Sequence, residues 1–379
     1  MNVPKLRFKE FNDELSNHKF KDICTFFSGG TPTSSNKEYY NGDIPFIRSG
    51  EIYSDNTELF INQDAINNSS AKLVNKGDLL LALYGATSGN VAISKIDGAI
   101  NQAILCINPQ YGYSKVYIKY LLENKKETIL KTFLQGGQGN LSAEIIKNLN
   151  YSFPQIEEQE KIGDFLSLLD KKIELQTKKI EDLKLFKLYT KNQIFKDYDE
   201  IFKLKDILVK WNKKNKNNSV KYVESISNKY GFISQSDQFE DRNVASKDLN
   251  NYYIIEKGVF GYNPSRLNVG SLALKTNDKV SVVSPLYECF TTSQNNQYLL
   301  EWFDSKYFRK ETVSKFEGGV RNTLNFSNLC EIEIGLPTIE KQNMYSRIFK
   351  IFNNKIEFEV KKLYKLQELK KGLLQSMFV

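Results

Sequence analysis

The second half of the chain repeats the first, and both copies end in the same long helical pattern. Phe153-Pro154-Gln155-Ile156-Glu157-Glu158-Gln159 recurs as Leu336-Pro337-Thr338-Ile339-Glu340-Lys341-Gln342, an offset of 183 residues (337 − 154). From this point the offset continues to the last residue without a gap. A duplicated globular part with a duplicated helical part presents two binding faces at a fixed separation. Because the structure of DNA repeats along its axis, this arrangement favours DNA as the ligand.

Each helical stretch carries a seven-residue apolar repeat. Residues 157–197 contain no proline and one glycine, and apolar residues recur at the alternating spacings of a coiled-coil seam. The same two places carry polar residues in both copies, Gln176 and Lys187 in the first and Glu359 and Lys370 in the second. The predicted interface comprises Ile162, Leu166, Leu169, Ile173, Gln176, Ile180 and Leu183, with Tyr345, Phe349, Phe352, Ile356, Glu359, Leu363 and Leu366.

We expect the two long helices to pack against each other, because each apolar seam requires a partner and the other copy supplies a matching one. If a pseudo-twofold axis relates the copies, the helices are antiparallel. A helix of about 40 residues is about 60 Å long at the usual rise per residue. The alternative is two independent amphipathic helices, each packed on its own domain.

The predicted fold class is α+β: two mixed α/β domains separated by a pair of long antiparallel coiled-coil helices, with a pseudo-twofold internal repeat. The first domain should cover residues 1–153, the central helix 154–197, the second domain 198–336 and the C-terminal helix 337–379. Short apolar runs that alternate with glycine-rich turns indicate strands in the first domain. The spacing of apolar residues predicts one further helix over 115–133.

Composition agrees with two soluble domains and a polyanionic partner. A chain of 379 residues is long enough for two hydrophobic cores. The formal net charge of +8 favours binding to a polyanion, although many basic proteins bind nothing acidic. The four cysteines form no CxxC pair, which is typical of buried thiols in a reducing compartment. No apolar run approaches the ~18 residues of a membrane span, so we expect a cytoplasmic protein.

Catalytic signatures are weak. His18 is the only histidine, and no GxxxxGK[ST] loop is present to hold nucleotide phosphates. Asn108-Pro109-Gln110-Tyr111 is similar to the Asn-Pro-Pro-Tyr motif of amino-methyltransferases but lacks its second proline, and we interpret it as a turn after a strand. The sequence therefore predicts neither a catalytic residue nor a metal site.

Polar turns between the apolar strands supply candidate DNA contacts. DNA binding requires cations for phosphates and forked or planar groups for base edges. The candidates in the first domain are Arg48, Ser49, Tyr84, Thr87, Ser88, Asn90, Gln135, Gln138 and Asn140. Those in the second are Arg242, Asn243, Tyr262, Asn263, Ser265, Arg266, Asn268, Arg321 and Asn322. The alternative for each is a turn residue that braces its own loop.

A lysine-rich run at 210–218 also allows two interpretations. It is most simply a solvated basic loop. If it instead clamps phosphates, it should give DNA binding a steep salt dependence, because each neutralised phosphate releases counterions.

Several motifs resemble those of the specificity subunits of type I restriction-modification systems. These are the opening Val3-Pro4-Lys5-Leu6-Arg7-Phe8, the Ser28-Gly29-Gly30-Thr31-Pro32 turn, the Ile47-Arg48-Ser49-Gly50-Glu51-Ile52 segment, the Gly77-Asp78-Leu79-Leu80 strand entry and the two proline-led helix starts. The resemblance covers the whole chain, including its order of domains and helices. The second domain departs from the pattern, since Val209-Lys210-Trp211-Asn212-Lys213 replaces the glycine turn.

The resemblance implies a complete functional assignment. Each domain would be a target recognition domain for one half of a bipartite, asymmetric site in double-stranded DNA. The helices would set the spacing and dock two methyltransferase (modification) subunits, and nuclease/translocase (restriction) subunits would join them. The chain would need no cofactor, while its partners would use S-adenosylmethionine, ATP and magnesium.

Three other readings compete with this assignment. The chain could be a structural or receptor-binding protein with a coiled-coil spacer. It could be the specificity subunit of a related methyltransferase/nuclease system. It could also be an enzyme whose motif is not recognisable.

We predict that Gln176 and Glu359, near the middles of their helices, form a polar pair that fixes helix register. Replacing both with leucine should raise the melting temperature, because apolar packing replaces a polar pair, while more than one register becomes populated. Thermal melting and cross-linking would measure the two effects. Lower stability with unchanged register would contradict the pairing.

Overall fold

The computed structural model describes residues 3–134, 140–227, 230–235, 248–269, 271–313 and 323–379. The chain divides into two compact units. The first comprises Met1–Thr177 with Lys361–Val379, and the second comprises Lys178–Val360. Each unit therefore holds one α/β domain together with part of both long helices. The domain and helix boundaries predicted from the sequence (1–153, 154–197, 198–336 and 337–379) stay a prediction.

The first unit is built on two four-stranded sheets. Its strands are β1 (Ser16–Lys19), β2 (Cys24–Ser28), β3 (Ile44–Ile47), β4 (Phe60–Ile61), β5 (Lys72–Val74), β6 (Leu79–Ala82), β7 (Val91–Ile93), β8 (Gly98–Ile100), β9 (Ile104–Pro109) and β10 (Asn150–Phe153). The order β2-β9-β6-β7 is antiparallel throughout, whereas β4-β3-β8-β5 contains the parallel pair β3–β8. Its helices are α1 (Phe20–Ile23), α2 (Gln63–Asn67), α3 (Lys115–Phe133), α4 (Ala143–Lys147) and the start of α5 (Ile156–Ile194). The helix predicted over 115–133 is confirmed as α3.

The second unit contains the corresponding elements. Its strands are β11 (Glu200–Lys203), β12 (Leu208–Lys210), β13 (Glu224–Ser227), β14 (Gly231–Ser234), β15 (Tyr253–Ile255), β16 (Phe260–Tyr262), β17 (Leu272–Leu274), β18 (Ser281–Val283), β19 (Glu288–Thr292) and β20 (Glu333–Leu336). Its helices are α6 (Leu204–Ile207), α7 (Asn296–Phe303), α8 (Lys306–Val313), α9 (Phe326–Cys330) and the start of α10 (Ile339–Met377).

The internal repeat extends to strand order. The sheet β12-β19-β16-β17 has the order of β2-β9-β6-β7, and the pairs β11–β20 and β15–β18 correspond to β1–β10 and β5–β8. The glycine that precedes the central strand has the same left-handed backbone in both units, with φ of +95° at Gly77 and +92° at Gly258. Because residues with a Cβ rarely adopt such angles, the turn itself explains why glycine recurs there.

The two long helices, each 39 residues, pack against each other in antiparallel orientation. In the second unit Lys187 Nζ donates to Asn353 Oδ1 at 2.7 Å, and the rings of Phe195 and Phe349 lie 5.9 Å apart. The residue number thus rises along α5 as it falls along α10. In the first unit Asp170 of α5 pairs with Lys370 of α10 at 2.7 Å. The predicted fold class, two α/β domains with a pair of long packed helices, is confirmed.

The fourteen predicted interface side chains are all buried or half-buried. Their neighbours at other helical positions, such as Leu168 and Ile351, are each 68% exposed. Of the two polar residues predicted to pair, Gln176 is buried in the first unit. Glu359 is buried in the second unit, where its Oε1 accepts from Lys179 at 2.7 Å and Lys355 at 3.1 Å.

A buried glutamine explains the proline-led start of each long helix. Gln159 accepts a hydrogen bond from the backbone N–H of Ser114, which caps α3, at 3.0 Å and donates to Pro154 O at 2.8 Å. Gln342 makes the same bonds, accepting from Asn295 N at 3.1 Å and donating to Pro337 O at 2.9 Å. The repeated motif therefore ties the long helix to the first turn of a domain helix in both units.

Replacing Gln159 with methionine should lower the free energy of unfolding by about 1–3 kcal/mol, because Ser114 N–H and Pro154 C=O lose their partner in a buried site. Urea denaturation of the full chain measures the change. Gln155→Ala is the matched control, since its side chain is exposed in the same turn and should change stability by less than about 0.5 kcal/mol. Equal losses in the two variants would contradict the assigned role.

Candidate nucleic-acid interface

Two loops meet in the first unit at the end of the central sheet. The loop at 83–90 connects β6 to β7, and its Tyr84 side chain is exposed. The segment before α4 approaches it, because Leu141 N–H donates to Leu83 O at 3.0 Å. Asn140, which precedes Leu141, is also exposed. The fold thus brings together candidates that lie more than fifty residues apart in the sequence.

The second unit has the same pair of loops. The loop at 263–271 connects β16 to β17, and Leu324 N–H, just before α9, donates to Pro264 O at 3.1 Å. Ser265 and Arg266 are exposed on this loop, whereas Asn263 is half-buried and accepts a hydrogen bond from Ser265 N at 3.0 Å. Because the two units place equivalent loops together, these loop pairs form the candidate nucleic-acid interface of each domain.

Three candidates in the first loop brace it. Ser88 is buried and donates to Leu83 O at 2.9 Å. Thr87 donates to Tyr84 O at 3.3 Å, and Asn90 Oδ1 accepts from Lys126 at 2.6 Å. These bonds engage the hydroxyl protons of Thr87 and Ser88 and the amide oxygen of Asn90 within the fold. The geometry therefore favours a loop-shaping role for Thr87, Ser88 and Asn90.

Arg48 is engaged by two carboxylates. Its guanidinium donates to Glu51 through Nε and Nη2, both at 3.1 Å, and also to Glu58. Burial raises the pKa of Glu51, but the hydrogen bonds from Arg48 and from two backbone N–H groups outweigh it and lower the pKa overall. Ser49, the next residue, is half-buried. This ion pair indicates that Arg48 orders the segment after β3.

Tyr262 lies in the core of the second unit. Its side chain is fully buried among Phe260, Phe290 and Leu272, and burial raises the pKa of its hydroxyl. Within the described part of the chain this hydroxyl has no hydrogen-bond partner. The position indicates a packing role, since a side chain enclosed by the core does not reach a ligand at the surface.

Seven candidates remain without a described side chain. Asn268 belongs to the short 3-10 helix Pro264–Val269, of which only the backbone is described at that residue. Gln135, Gln138, Arg242, Asn243, Arg321 and Asn322 lie outside the described residues.

The glycine turn at 28–32 is a packing device. A Cβ on Gly29 would meet Ile100 O at 1.7 Å, and one on Gly30 would meet Ser70 Oγ at 2.4 Å. Since β2 and β8 belong to different sheets, the two glycines allow those sheets to approach closely. In the second unit Trp211, which follows β12, donates from Nε1 to Ile254 O at 2.7 Å.

Most of the lysine-rich run is braced by its own domain. Lys210 pairs with Glu288 at 3.1 Å, Lys213 pairs with Glu256, and Lys214 lies 3.9 Å from the centroid of the Tyr253 ring. Asn215 is fully buried. The run is therefore an ordered loop with much of its positive charge compensated, which is a finding that its composition did not predict.

The opening motif also has a structural explanation that the sequence did not reveal. Arg7 forms two hydrogen bonds with the buried Glu158 of α5, at 2.8 and 2.7 Å. In the second unit the residue equivalent to Glu158 is Lys341, which pairs with Asp197 at 3.4 Å and Asp199 at 3.2 Å. Each entering segment is thus held at the start of a long helix by an ion pair, with opposite polarity in the two units.

Among the described residues, no group of histidine, cysteine, aspartate and glutamate side chains is arranged to hold a metal ion. Within the same residues, no helix combines the length and apolar character that crossing a membrane requires. The Asn108–Tyr111 segment follows the predicted pattern, because Pro109 ends β9 and Tyr111 is fully exposed beyond it.

Comparison with known proteins gives matches to one family. Residues 12–185 match the family described as "Type I restriction modification DNA specificity domain". The MjaIX specificity subunit of Methanocaldococcus jannaschii is 33% identical over 189 residues, 48% of this chain and 44% of that protein. The MjaVIII specificity subunit of the same organism is 24% identical across 94% of this chain and 90% of that protein. Residues 12–185 thus match a type I specificity domain, and the chain is similar to a type I specificity subunit over 94% of its length.

Solved structures support the same fold for this chain. The S subunit of a type I system from M. genitalium superimposes with a TM-score of 0.63 at 15% identity, covering 100% of this chain and 99% of that one. A chain from a structure of complex assembly and conformational transition in a type I restriction-modification system gives a TM-score of 0.57 at 12% identity. The match covers 98% of this chain and 99% of that one. The alignment with the MjaIX relative spans less than half of that relative's length.

We predict that Arg48→Gln lowers the stability of the chain by about 1 kcal/mol at pH 7, because Glu51 loses its ion pair in a partly exposed site. Since the folded-state pKa of Glu51 is lowered, this contribution is present above the ordinary carboxyl pKa of about 4.3 and is lost as pH falls through the folded value. Urea denaturation at pH 7 and pH 3 should show the difference from wild type shrinking. Lys95→Gln, at an exposed position, is the control. A pH-independent difference would contradict the assignment.

Proposed function

We propose that each α/β domain reads one half of a bipartite, asymmetric site in double-stranded DNA. The observation that carries this proposal is the equivalent pair of loops in each unit, joined by Leu141–Leu83 in the first and Leu324–Pro264 in the second. Loops held on a rigid sheet are where recognition residues concentrate in proteins. Two such loop pairs on one chain suit a site with two halves.

The two halves differ in sequence because the loops differ in chemistry. The first loop pair offers the exposed side chains of Tyr84 and Asn140, while the second offers Ser265 and Arg266. An arginine can form two hydrogen bonds with guanine, whereas an asparagine suits adenine. The fold is common to both domains, whereas the side chains proposed to contact bases differ between them.

The long helices set the spacing between the two half-sites. Both are 39 residues long, and the 183-residue offset runs through them without an insertion. Loops within the domains drift by a few residues between the copies. A constant helix length alongside variable loops is what a spacer requires.

The outer faces of the long helices dock two methyltransferase subunits. Leu168 and Leu175 of α5 are 68% and 60% exposed, and their equivalents on α10, Ile351 and Phe358, are 68% and 61% exposed. Apolar side chains exposed at several positions of one element mark interaction surfaces. Since they recur at the same repeat positions, we infer two equivalent docking surfaces and hence two copies of the same partner.

Catalysis belongs to the partner subunits in this proposal. The methyltransferase subunits use S-adenosylmethionine, and the nuclease/translocase subunits use ATP and magnesium. The complex works on chromosomal and invading DNA, which places this subunit in the cytoplasm. The specificity subunit contributes the DNA sequence at which the chemistry occurs.

Methylation-sensitive sequencing of host genomes with and without this chain tests the proposal. We expect methylation at one bipartite motif that disappears when the chain is deleted and returns when it is supplied. Co-purification with a methyltransferase subunit should accompany it. Methylation by the purified chain alone, or unchanged genomic methylation after deletion, would refute the proposal.

Arg266→Ala should relax base preference in one half-site only, lowering discrimination there by about 1–3 kcal/mol if the guanidinium reads a base. Methylome sequencing of cells that carry the variant measures preference at each position of both half-sites. Arg309→Ala is the matched control, since this arginine is also exposed in the second unit but lies on α8. Uniform weakening at all sequences would instead identify Arg266 as a phosphate contact.

A further inference from the structure

Lys187 and Lys370 occupy equivalent positions in the two long helices (370 − 187 = 183) and interrupt both apolar seams. Neither side chain is left in solvent. Lys370 Nζ pairs with Asp170 of α5 at 2.7 Å and with Glu123 of α3. Each of these lysines therefore connects its own long helix to the other long helix and to a helix of the α/β domain.

The first charge cluster comprises Lys119, Glu123, Asp170 and Lys370. Lys119 pairs with Asp170 at 2.8 Å and with Glu123 at 3.3 Å. The hydroxyl of Tyr120 donates to the same Asp170 oxygen at 2.7 Å. Burial opposes ionisation of Asp170, but hydrogen bonds from Lys119, Lys370 and Tyr120 lower its pKa overall. Two positive and two negative groups thus balance between three helices.

The second charge cluster comprises Lys187, Lys191, Glu301 and Asp304, together with the amide of Asn353. Lys187 pairs with Glu301 at 3.0 Å and donates to Asn353 at 2.7 Å. Lys191 pairs with Glu301 at 3.2 Å and with Asp304 at 2.9 Å. Asn353 Nδ2 donates to Glu301 at 3.1 Å. This cluster joins α5, α10 and α7, and Asp304 also pairs with Arg309 of α8 at 3.6 Å.

The two clusters differ where the long helices meet. Asp170 in the first cluster corresponds to Asn353 in the second (353 − 170 = 183), which removes one negative charge. Glu301 and Asp304 supply the carboxylates of the second cluster, where Asp304 pairs with both Lys191 and Arg309. Different residues therefore place carboxylates beside an equivalent lysine in the two units.

Apolar packing alone specifies the register of these helices poorly. Both seams repeat every seven residues, so a shift of seven residues brings apolar layers back opposite apolar layers. After such a shift, Lys370 would face Gly163 or Thr177 in place of Asp170, and Lys187 would face Ser346 or Val360 in place of Asn353. The domain carboxylates would lie about 10 Å away along the helix. The lysines would then be half-buried without a countercharge, which is strongly unfavourable.

We propose that the two charge clusters select the register of α5 against α10 and against each domain, and thereby the half-site spacing that the specificity subunit reads. The consequence for spacing rests on the proposed function, whereas the consequence for register does not. The ends of both helices also pack into the domain cores, which favours the native register and keeps the chain folded. Loss of the clusters therefore populates shifted registers in part, beside the native one.

Cross-linking of the full chain measures register directly. Phe186 and Phe352, whose rings lie 5.5 Å apart, are replaced by cysteine and joined with a short bismaleimide. Phe186→Cys with Tyr345→Cys reports a shift of seven residues in one direction, and Phe352→Cys with a cysteine at the exposed Gln193 reports the same shift in the other. Cys330→Ser removes the one half-buried native thiol. The buried thiols stay unreactive, because burial raises the pKa of Cys24, Cys106 and Cys289 to about 12.

Lys187→Met with Lys370→Met should lower the yield of the native cross-link at least about two-fold and make a shifted cross-link detectable, because methionine suits every apolar layer equally. Lys184→Met with Lys371→Met removes two exposed lysines from the same helices and should leave the native cross-link unchanged. A circular dichroism melt verifies that each variant is folded. Asp170→Asn with Glu301→Gln provides a second route to the same loss of charge pairing.

An unchanged native cross-link in both cluster variants would overturn the proposal. Genomic methylation supplies the second readout, since mixed registers should broaden or shift the spacing between half-sites while each half-site sequence stays the same. If the wild-type chain directs no bipartite methylation, the proposed function fails. The cross-linking result stands by itself, because it requires neither DNA nor partner subunits.

Discussion

The antiparallel packing of α5 against α10 is the interaction on which the rest of the structure depends. The core of the first unit includes Leu374 and Met377 from α10 alongside Ile162 from α5, and the core of the second unit includes Ile194 from α5 and Phe349 from α10. The helix that directly follows each α/β domain is therefore not enough to complete the core of that domain. Since each core requires the distant long helix, the chain folds as two units that both contain parts of α5 and α10.

Duplication has kept this packing and changed the polar contacts around it. The ion pair at the helix start has opposite polarity in the two units, Arg7–Glu158 in one and Asp197–Lys341 in the other. By contrast, the glutamine that accepts a hydrogen bond from the capping residue of the domain helix makes the same bonds in both units. Contacts that close a core have little freedom, because burial demands shape and complete hydrogen bonding. The two partners of an ion pair at the edge of the core can exchange positions, provided that opposite charges still face each other.

The candidate site was predictable only in outline. Polar turns between strands were identified as candidate contacts, and the structure brings Tyr84 close to Asn140 and exposes Arg266 on the equivalent loop of the second unit. The sequence did not distinguish these from Ser88, which braces its own loop, or from Tyr262, which fills the core. A polar or aromatic residue in a turn has the same local signature in either role. Its partners decide the role, and they are distant in the chain.

The sequence by itself determined the repeat and the fold class. The seven-residue periodicity of α5 and α10 is a local property, and the 183-residue offset is readable without coordinates. Tertiary structure alone decided what Lys187 and Lys370 do, because their partners Glu301 and Glu123 lie more than a hundred residues away. In the sequence these lysines are only interruptions of an apolar seam. A half-buried charge acquires its meaning from the countercharge that folding places beside it.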